Sequence, residues 1–118
     1  MCGLIGTAGI NIDQFDIENC ISAGKELLKE RGPDAFGYKV SKNDRAVLCQ
    51  SLLSITNDVG LDKQPLFRKK IISSFNGEIY NYKELYKKNI KLFDKKSVNE
   101  IEIISILYQN KGLDFLND

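Results

Sequence analysis

Apolar and polar residues in the first third of the chain follow two different spacings. Residues 2–10 form a short apolar run interrupted by glycines, which predicts a buried strand whose backbone is closely approached or bulged. Residues 16–31 repeat at helical spacing and predict an amphipathic helix. Its expected apolar face comprises Ile17, Cys20, Ile21, Gly24, Leu27 and Leu28. Either Asp13 or Asp16 is placed to cap this helix, and the Gly32-Pro33 pair to end it.

The rest of the chain alternates between strand-like and helix-like patterns. Strand-like runs at residues 36–40, 46–55 and 71–75 surround a polar loop that contains Gly60 and Pro65. Two helices are predicted after them, the first over residues 82–90 and the second over residues 99–110, which Gly112 ends. In the second helix the apolar side is expected to consist of Ile101, Ile104, Leu107 and Tyr108. These elements predict layered α+β architecture within one domain that spans residues 1–118.

Composition narrows the class of protein. The 118 residues carry a formal net charge of +1, whereas a dedicated nucleic-acid-binding domain would show a basic excess. No stretch approaches the roughly 20 consecutive apolar residues of a membrane-spanning helix. The apolar N-terminus lacks the basic segment of a secretory signal, and the three cysteines form an odd set. We therefore expect a cytoplasmic protein with reduced thiols, and neither nucleic acid nor a membrane as its partner.

The chain contains no histidine. This absence excludes Ser-His-Asp and Cys-His catalysis as well as every metal site that uses imidazole. The three cysteines lack the Cys-x-x-Cys spacing of a zinc site, so no metal is predicted. Cys20, on the helical face, and Cys49, within a strand-like run, are expected to be core residues.

A cysteine at position 2 offers one way to activate a nucleophile without histidine. If Met1 is removed, the thiol of Cys2 and its own α-amine lie on the same residue. An α-amine has a pKa of about 7.7–8, close to working pH, and can accept the proton of the thiol. Judged by its position alone, however, the pattern favours an inert cysteine buried near a terminus.

Two further segments have both a structural and a functional interpretation. Asn76-Gly77 after an apolar run is a strong signal for a hairpin turn, and the local pattern favours that interpretation. The alternative is an oxyanion site, in which the Asn side chain and the Gly amide donate to a developing negative charge. For residues 31–34 the local pattern favours a helix end and a turn, with Arg31 complementing the helix dipole, over a loop that orders a pocket wall.

Taken together, these segments resemble a known enzyme family. Met-Cys-Gly at residues 1–3, Arg-Gly-Pro-Asp-x-x-Gly at 31–37 and Phe-Asn-Gly-Glu-Ile-Tyr-Asn at 75–81 are similar to class II, N-terminal-nucleophile glutamine amidotransferases. The nearest resemblance is to the glutaminase domain of glutamine-dependent asparagine synthetase, because that branch carries Arg-Gly-Pro-Asp. It continues through Leu53-Ser54-Ile55 and Gln64-Pro65-Leu66 to residues 102–112, so it covers nearly the whole chain. The resemblance implies a four-layer αββα sandwich.

The resemblance also implies roles for individual residues. Cys2 would attack the side-chain amide of glutamine, release ammonia and use its own amine as the base. The side chain of Asn76 and the main chain of Gly77 would form the oxyanion hole. The remaining pocket lining would come from Leu53, Ser54, Ile55, Thr56 and Glu78. This domain would need no cofactor, since ATP and magnesium serve a C-terminal synthetase domain that receives the ammonia and adenylates aspartate.

Three departures from the family pattern modify these expectations. Leu52 stands where the family has an arginine that holds the α-carboxylate of glutamine. Without that charge-assisted contact, the free energy of glutamine binding is expected to weaken by roughly 1.5–3 kcal/mol. Glu100 stands where the family has an aspartate that meets the substrate amine, and it is equally readable as an acid that complements a helix N-terminus. The chain stops at Asp118, so the sandwich is expected to be incomplete, with a bare sheet face or strand edge.

These observations leave three functional hypotheses. The first is a glutaminase that supplies ammonia to a synthetase domain or subunit. The second is a non-catalytic binding module that keeps the fold but has lost substrate recognition, for which Leu52 and the early stop speak. The third is an amidotransferase for another acceptor. The chain would be a fragment, a truncated gene product or one half of a homodimer that covers the bare face.

Overall fold

A computed structural model describes residues 2–41, 43, 45–53, 64–93 and 99–117. The chain divides into two compact units, residues 1–76 and residues 77–118. Both contain short, regular elements, and every pairing between the described strands is antiparallel. This mixed α/β content is compatible with the α+β class expected from the sequence, whereas the four-layer sandwich stays a prediction.

A three-stranded sheet forms the centre of the first unit. It consists of β1 (Gly3–Ala8), β2 (Ala35–Val40) and β3 (Ala46–Leu52), in the spatial order β1-β3-β2. Gly3 pairs with Ser51 and Ala8 with Ala46, so β1 and β3 run along each other over their whole described length. The three predicted strands are confirmed as strands, and the residues predicted to continue the last one beyond Leu53 lie outside the described part of the chain.

The predicted burial of the first strand is wrong, since only Gly3 of β1 is buried and Leu4 is 46% exposed. The reason is its place in the sheet, because β1 is an edge strand of the described sheet and α1 packs on one face only.

Helix α1 (Gln14–Leu27) covers one face of this sheet. Asp13 caps it by accepting from the amide of Asp16, whose carboxylate accepts from the amide of Asp13 in return. Its buried Ile17 packs with Val47 and Cys49 of β3 in the core of the unit. Strand alternation places every second residue of the sheet, including these two, on the face towards α1.

The predicted end of this helix is wrong by four residues. The helix ends at Leu27, and Leu28 caps it with an amide that donates to the carbonyl of Gly24. Leu27 is 67% exposed, so it does not belong to the buried face, whereas Leu28 is buried. The early end has a tertiary cause, because the residues after Leu28 leave the helix to reach β3, where Pro33 bridges Leu52.

A second, two-stranded sheet corrects the predicted turn at Asn76-Gly77. It consists of β4 (Leu66–Arg68), which the sequence pattern did not predict, and β5 (Ile71–Ser73). Lys69 and Lys70 form its two-residue turn with φ of 49° and 110°, the left-handed region that such a turn requires. Asn76 and Gly77 have no positive φ, and the next element is a helix.

The second unit is helical. It contains α2 (Tyr82–Lys88), α3 (Glu100–Lys111) and the 3₁₀ segments Ile90–Leu92 and Gly112–Asn117. Asn99 and Glu102 cap α3 reciprocally, and Gly112 ends it with a φ of 60°. Both predicted helices are confirmed, but the predicted apolar side of α3 is incomplete. Ile101 and Leu107 are buried as predicted, whereas Tyr108 is 42% exposed. Burial also extends beyond one stripe of the helix, because three more residues are buried: Ile103, Ser105 and Ile106.

The face of the three-stranded sheet opposite α1 is open at one end. A cleft of about 510 Å³ lies there, lined on the sheet side by Gly6, Ala8, Ala46 and Leu48 and on the hairpin side by Lys70 and Ile72. Further along the same face Leu4 is 46% exposed. None of the helices in the described segments is long and apolar enough to cross a membrane.

Candidate active site

The thiol of Cys2 lies immediately before β1 and against the end of β3. The backbone amide of Leu53 points at its sulfur, with 3.5 Å between nitrogen and Sγ, and the thiol faces the carbonyl oxygen of Leu53 at 4.0 Å. Cys2 is half-buried. The pairing of Gly3 with Ser51 brings these two residues together, because Cys2 and Leu53 lie just beyond that end of the ladder.

The carbonyl oxygen of Cys2 accepts hydrogen bonds from two side chains. Asn76 Nδ2 donates to it at 2.9 Å, and Arg31 Nε donates at 3.4 Å. An acceptor at this place determines the orientation of the Asn76 amide, since only its nitrogen can donate. The same nitrogen carries a second hydrogen, and the Asn76 side chain is exposed. An exposed amide donor therefore stands beside the candidate nucleophile.

Residues 31–34 complete the turn after α1 and contact the ends of two strands, a role that the local pattern did not predict. Gly32 passes so close to β3 that a Cβ there would lie 2.6 Å from the amide nitrogen of Leu52. The amide of Asp34 then donates to the carbonyl of Leu52 at 3.1 Å. With Arg31 bonded to Cys2, this segment holds together the strand ends on which the thiol and its neighbour Leu53 lie.

The place where the resemblance expects an arginine is occupied by an aliphatic side chain. Leu52 is half-buried, and strand alternation directs it to the same sheet face as Cys2, away from α1. The nearby arginine in the sequence, Arg45, does not take the place of the expected arginine, because its carbonyl accepts from the amide of Gly9 at the opposite end of β1. At about 3.3 Å per residue, that end is roughly 20 Å from Cys2, farther than an arginine side chain spans.

Three of the predicted site residues belong to the second unit. Gly77 and Glu78 are exposed and begin it, and Glu100 starts α3. The carboxylate of Glu100 accepts from the amide of Ile79 at 2.9 Å, so it holds the segment that directly follows Glu78. Glu100 thus lies near Glu78 through its hydrogen bond to the next residue, Ile79. The sequence did not predict this structural role of Glu100.

Three further predicted site residues, Ser54, Ile55 and Thr56, lie outside the described residues. The two other cysteines were predicted as core residues rather than site residues. Cys20 and Cys49 are confirmed as core residues, since Cys49 is buried and Cys20 packs against the same cluster. Burial, reinforced by the neighbouring Cys20, raises the pKa of the Cys49 thiol to about 12, so this thiol stays protonated. In the segments that the structure describes, no group of three or more acidic or thiol side chains is arranged to hold a metal ion.

Comparison with known proteins decides the family. The glutamine amidotransferase domain profile matches residues 1–118 of this chain. The chain belongs to the glutamine amidotransferase family. No solved structure matches it.

The relatives of this amidotransferase domain are glutamine-hydrolysing asparagine synthetases. Asparagine synthetase B of Escherichia coli is 34% identical over 120 residues, which cover 100% of this chain and 21% of the relative. A Bacillus subtilis asparagine synthetase is 34% identical over 125 residues, covering 100% and 16%, and one from Arabidopsis thaliana is 32% identical over 119 residues, covering 99% and 20%. The chain thus spans about a fifth of the length of these relatives, and the predicted family is confirmed.

Sequence reasoning overlooked two side chains that contact the segment before Asn76 in this amidotransferase domain. Gln50 is buried in β3, and Gln64 lies just before β4. Gly37 admits the second of these, because a Cβ there would lie 2.5 Å from the carbonyl oxygen of Gln64. A buried glutamine within an otherwise apolar strand is a signal that could have identified Gln50. Gln64 is part of the Gln-Pro-Leu segment that carries the resemblance, but the sequence assigned no role to it.

Proposed function

We propose that this chain is a glutaminase domain in which Cys2 cleaves the side-chain amide of glutamine. The Cys2 sulfur bonds to the carboxamide carbon, and the carbon–nitrogen bond breaks. Ammonia leaves, and a thioester to Cys2 remains. Water then hydrolyses the thioester, which yields glutamate and the free thiol. The membership of the chain in the glutamine amidotransferase family supports this assignment of the reaction class.

The base in this proposal is the α-amine of Cys2 itself, which requires that Met1 be removed. With no histidine in the chain, this amine is the group attached to the nucleophile whose ordinary pKa of about 7.7–8 suits proton transfer near neutral pH. It takes the proton from the thiol during attack and returns it to the leaving ammonia. Neither step needs a cofactor.

Asn76 is the proposed stabiliser of the oxyanion that forms when the thiol adds to the amide carbon. One hydrogen of its Nδ2 is used on the carbonyl of Cys2, and the other remains to donate to the substrate oxygen. Removing one such donor from an oxyanion hole typically costs about 100- to 1,000-fold in turnover. The amide of Gly77 is proposed as the second donor, and Glu78, Glu100 and residues 53–56 as further pocket lining.

One observation carries the proposal more than any other. A thiol from position 2, an amide from position 53 and a side-chain amide from position 76 meet at one end of the sheet. These are a nucleophile, a donor to its sulfur and an amide donor beside it, which are the groups that acyl transfer through a cysteine requires.

The relatives suggest where the ammonia goes, because they are named glutamine-hydrolysing asparagine synthetases. We propose that it passes to a synthetase domain or subunit that forms an amide on aspartate with ATP and magnesium, as the family resemblance implies. A different acceptor would leave the half-reaction at Cys2 unchanged.

Intact mass and covalent labelling test the glutaminase proposal. We expect the purified chain to have lost Met1, to release ammonia from glutamine and to gain one adduct at Cys2 from a glutamine-like diazo-ketone. The Cys2→Ala variant should show neither ammonia release nor the adduct, while keeping the thermal unfolding of the parent. Retention of Met1, or an adduct that persists in the variant, contradicts the proposal.

Leu52 supports a second candidate, a binding module that no longer turns over glutamine. An aliphatic side chain provides no charge-assisted hydrogen bond to the α-carboxylate of a substrate. Under this candidate the parent chain shows no thermal shift with glutamine, and Leu52→Arg restores one. Under the glutaminase proposal the parent already turns over, and Leu52→Arg lowers KM by about 10- to 200-fold because it adds a charge-assisted contact.

A further inference from the structure

The backbone of Phe75, the residue before Asn76, is held on both sides by glutamine side chains. Gln64 Oε1 accepts from the Phe75 amide at 2.7 Å. Gln50 Nε2 donates to the Phe75 carbonyl oxygen at 3.0 Å. Both backbone hydrogen-bonding groups of Phe75 are therefore satisfied by side chains rather than by a neighbouring strand.

Gln50 is itself held on both ends of its amide. Its Oε1 accepts from the hydroxyl of Ser74, while its Nε2 is used on Phe75. The side chain is 2% exposed and comes from β3, the strand whose end leads to Leu53 and the Cys2 sulfur. The same strand therefore organises the surroundings of the thiol and of the segment that carries Asn76.

The backbone of Gln64 passes close to the last glycine of the Arg-Gly-Pro-Asp-x-x-Gly motif. Its carbonyl oxygen approaches Gly37 of β2 so closely that any side chain on Gly37 would collide with it. Strand β2 thus provides the surface against which Gln64 rests, and Gln64 extends from it to the amide of Phe75.

We propose that Gln50 and Gln64 are positioning residues for Asn76 in the glutaminase reaction at Cys2. Asn76 lies outside helix and strand and is exposed, so its orientation depends on the backbone directly before it. An oxyanion donor is effective only within a narrow range of distances, and a displacement of about 1 Å costs up to about 100-fold. The proposal rests on the proposed function, in which Asn76 is that donor.

Two substitutions at Gln64 separate its acceptor role from its bulk. Gln64→Glu retains an oxygen that accepts from the Phe75 amide, whereas Gln64→Met has a similar volume but no comparable acceptor. We expect Gln64→Met to lower kcat for glutamine hydrolysis by about 10- to 100-fold with KM within about threefold of the parent. Gln64→Glu should stay within about threefold in both. Equal losses in the two variants overturn the proposal.

A double-mutant cycle identifies the residue through which Gln64 acts. If it acts by orienting Asn76, adding Gln64→Met to Asn76→Ala causes little further loss of kcat. If the losses multiply, Gln64 does not act through Asn76 and the proposal is wrong. Ile17→Val, a core change on the α1 face of the sheet, opposite to the face that carries Gln50, serves as the control for destabilisation alone and should leave kcat unchanged.

A measurement that needs no turnover distinguishes failure of this inference from failure of the proposed function. The side-chain amide signal of Asn76 in a nitrogen-15 NMR spectrum should be sharp in the parent and in Gln64→Glu, and shifted or broadened in Gln64→Met. If the parent releases no ammonia but the signal responds in this way, the glutaminase proposal fails and the positioning role stands. An unchanged Asn76 signal in Gln64→Met refutes the positioning role whatever the activity.

Discussion

The two ends of the three-stranded sheet are built in different ways. At the Cys2 end, side chains from distant segments bond to backbone groups, with Arg31 and Asn76 on the same carbonyl oxygen. At the opposite end, Arg45 accepts from the amide of Gly9, and Ser41 bonds to Ala46 through the backbone. There the sheet face opens into the cleft lined by Leu48 and Ile72.

This contrast shows that side chains and backbone are more tightly restricted at the Cys2 end of the sheet than at the opposite end. A carbonyl that accepts from two side chains restricts both donors, and a glycine without room for a Cβ restricts the strand beside it. At the open end the side-chain hydrogen bond from the Arg45 amide to the Ser41 hydroxyl is local, and the cleft walls include the apolar Leu48 and Ile72. We therefore expect substitutions at the Cys2 end to disturb both stability and reaction, and those at the open end to change stability alone.

The largest expected difference is between the thiol at the sheet end and the thiol at its centre. At pH 8 the folded-state pKa of Cys49, about 12, leaves only about one thiolate in ten thousand, and burial blocks access to it. Iodoacetamide should therefore modify the half-buried Cys2 at least about a thousand times faster than Cys49. Mass spectrometry of peptides over time measures both rates, and Cys2→Ser removes the fast one. Native labelling of Cys49 at the rate of Cys2 would contradict the burial of the core thiol.

The same pKa gives a direction for stability at alkaline pH. The folded-state pKa of Cys49 is raised from an ordinary value of 9.0 to about 12, so the unfolded chain loses this proton first. The contribution of Cys49 is therefore fully present below pH about 9 and is lost as pH rises towards 12. Urea unfolding between pH 8 and pH 11 should show a smaller decline in Cys49→Ala than in the parent.

Two glycines test the ends of the sheet with matched substitutions. Gly32→Ala places a Cβ against the backbone of Ser51 and Leu52, so we expect a loss of about 1–3 kcal/mol in the free energy of unfolding and lower glutaminase activity. Gly9→Ala, at the open end, meets only ordinary contacts with Ile12 and should stay within about 0.5 kcal/mol. Urea unfolding measures both. Equal losses would show that the two ends are equally tolerant.

The smallest effect is expected at the hairpin turn that borders the cleft. Lys70 adopts a φ of 110°, which is unfavourable for a residue with a side chain, so Lys70→Gly should raise the free energy of unfolding by about 0.5–1 kcal/mol. Lys70→Ala keeps the Cβ and should bring no such gain. Glutaminase activity should be unchanged in both variants. A change in kcat in either would show that the open end is coupled to the Cys2 end.

Much of the fold and part of the candidate site could be predicted from spacing alone. Helix α3 was predicted within one residue at each end, because Asn99 and Gly112 are capping residues whose effect is local. Cys2 and Asn76 were singled out by their motifs, and the structure brings them together. The turn at Lys69-Lys70 could not be predicted, since neither lysine favours positive φ and only the pairing of β4 with β5 imposes it.

The amino-acid sequence limits the available chemistry: without histidine, the proposed glutaminase relies on Cys2 and, once Met1 is removed, on the α-amine of Cys2. It also determines helices and strands whose capping and spacing residues lie within a few positions of one another, such as α3. Two features depend on how distant segments pack: α1 ends early so that residues 31–34 reach Cys2 and β3, and two glutamines hold the residue before Asn76. Such contacts join positions far apart in the chain, and no local preference encodes them.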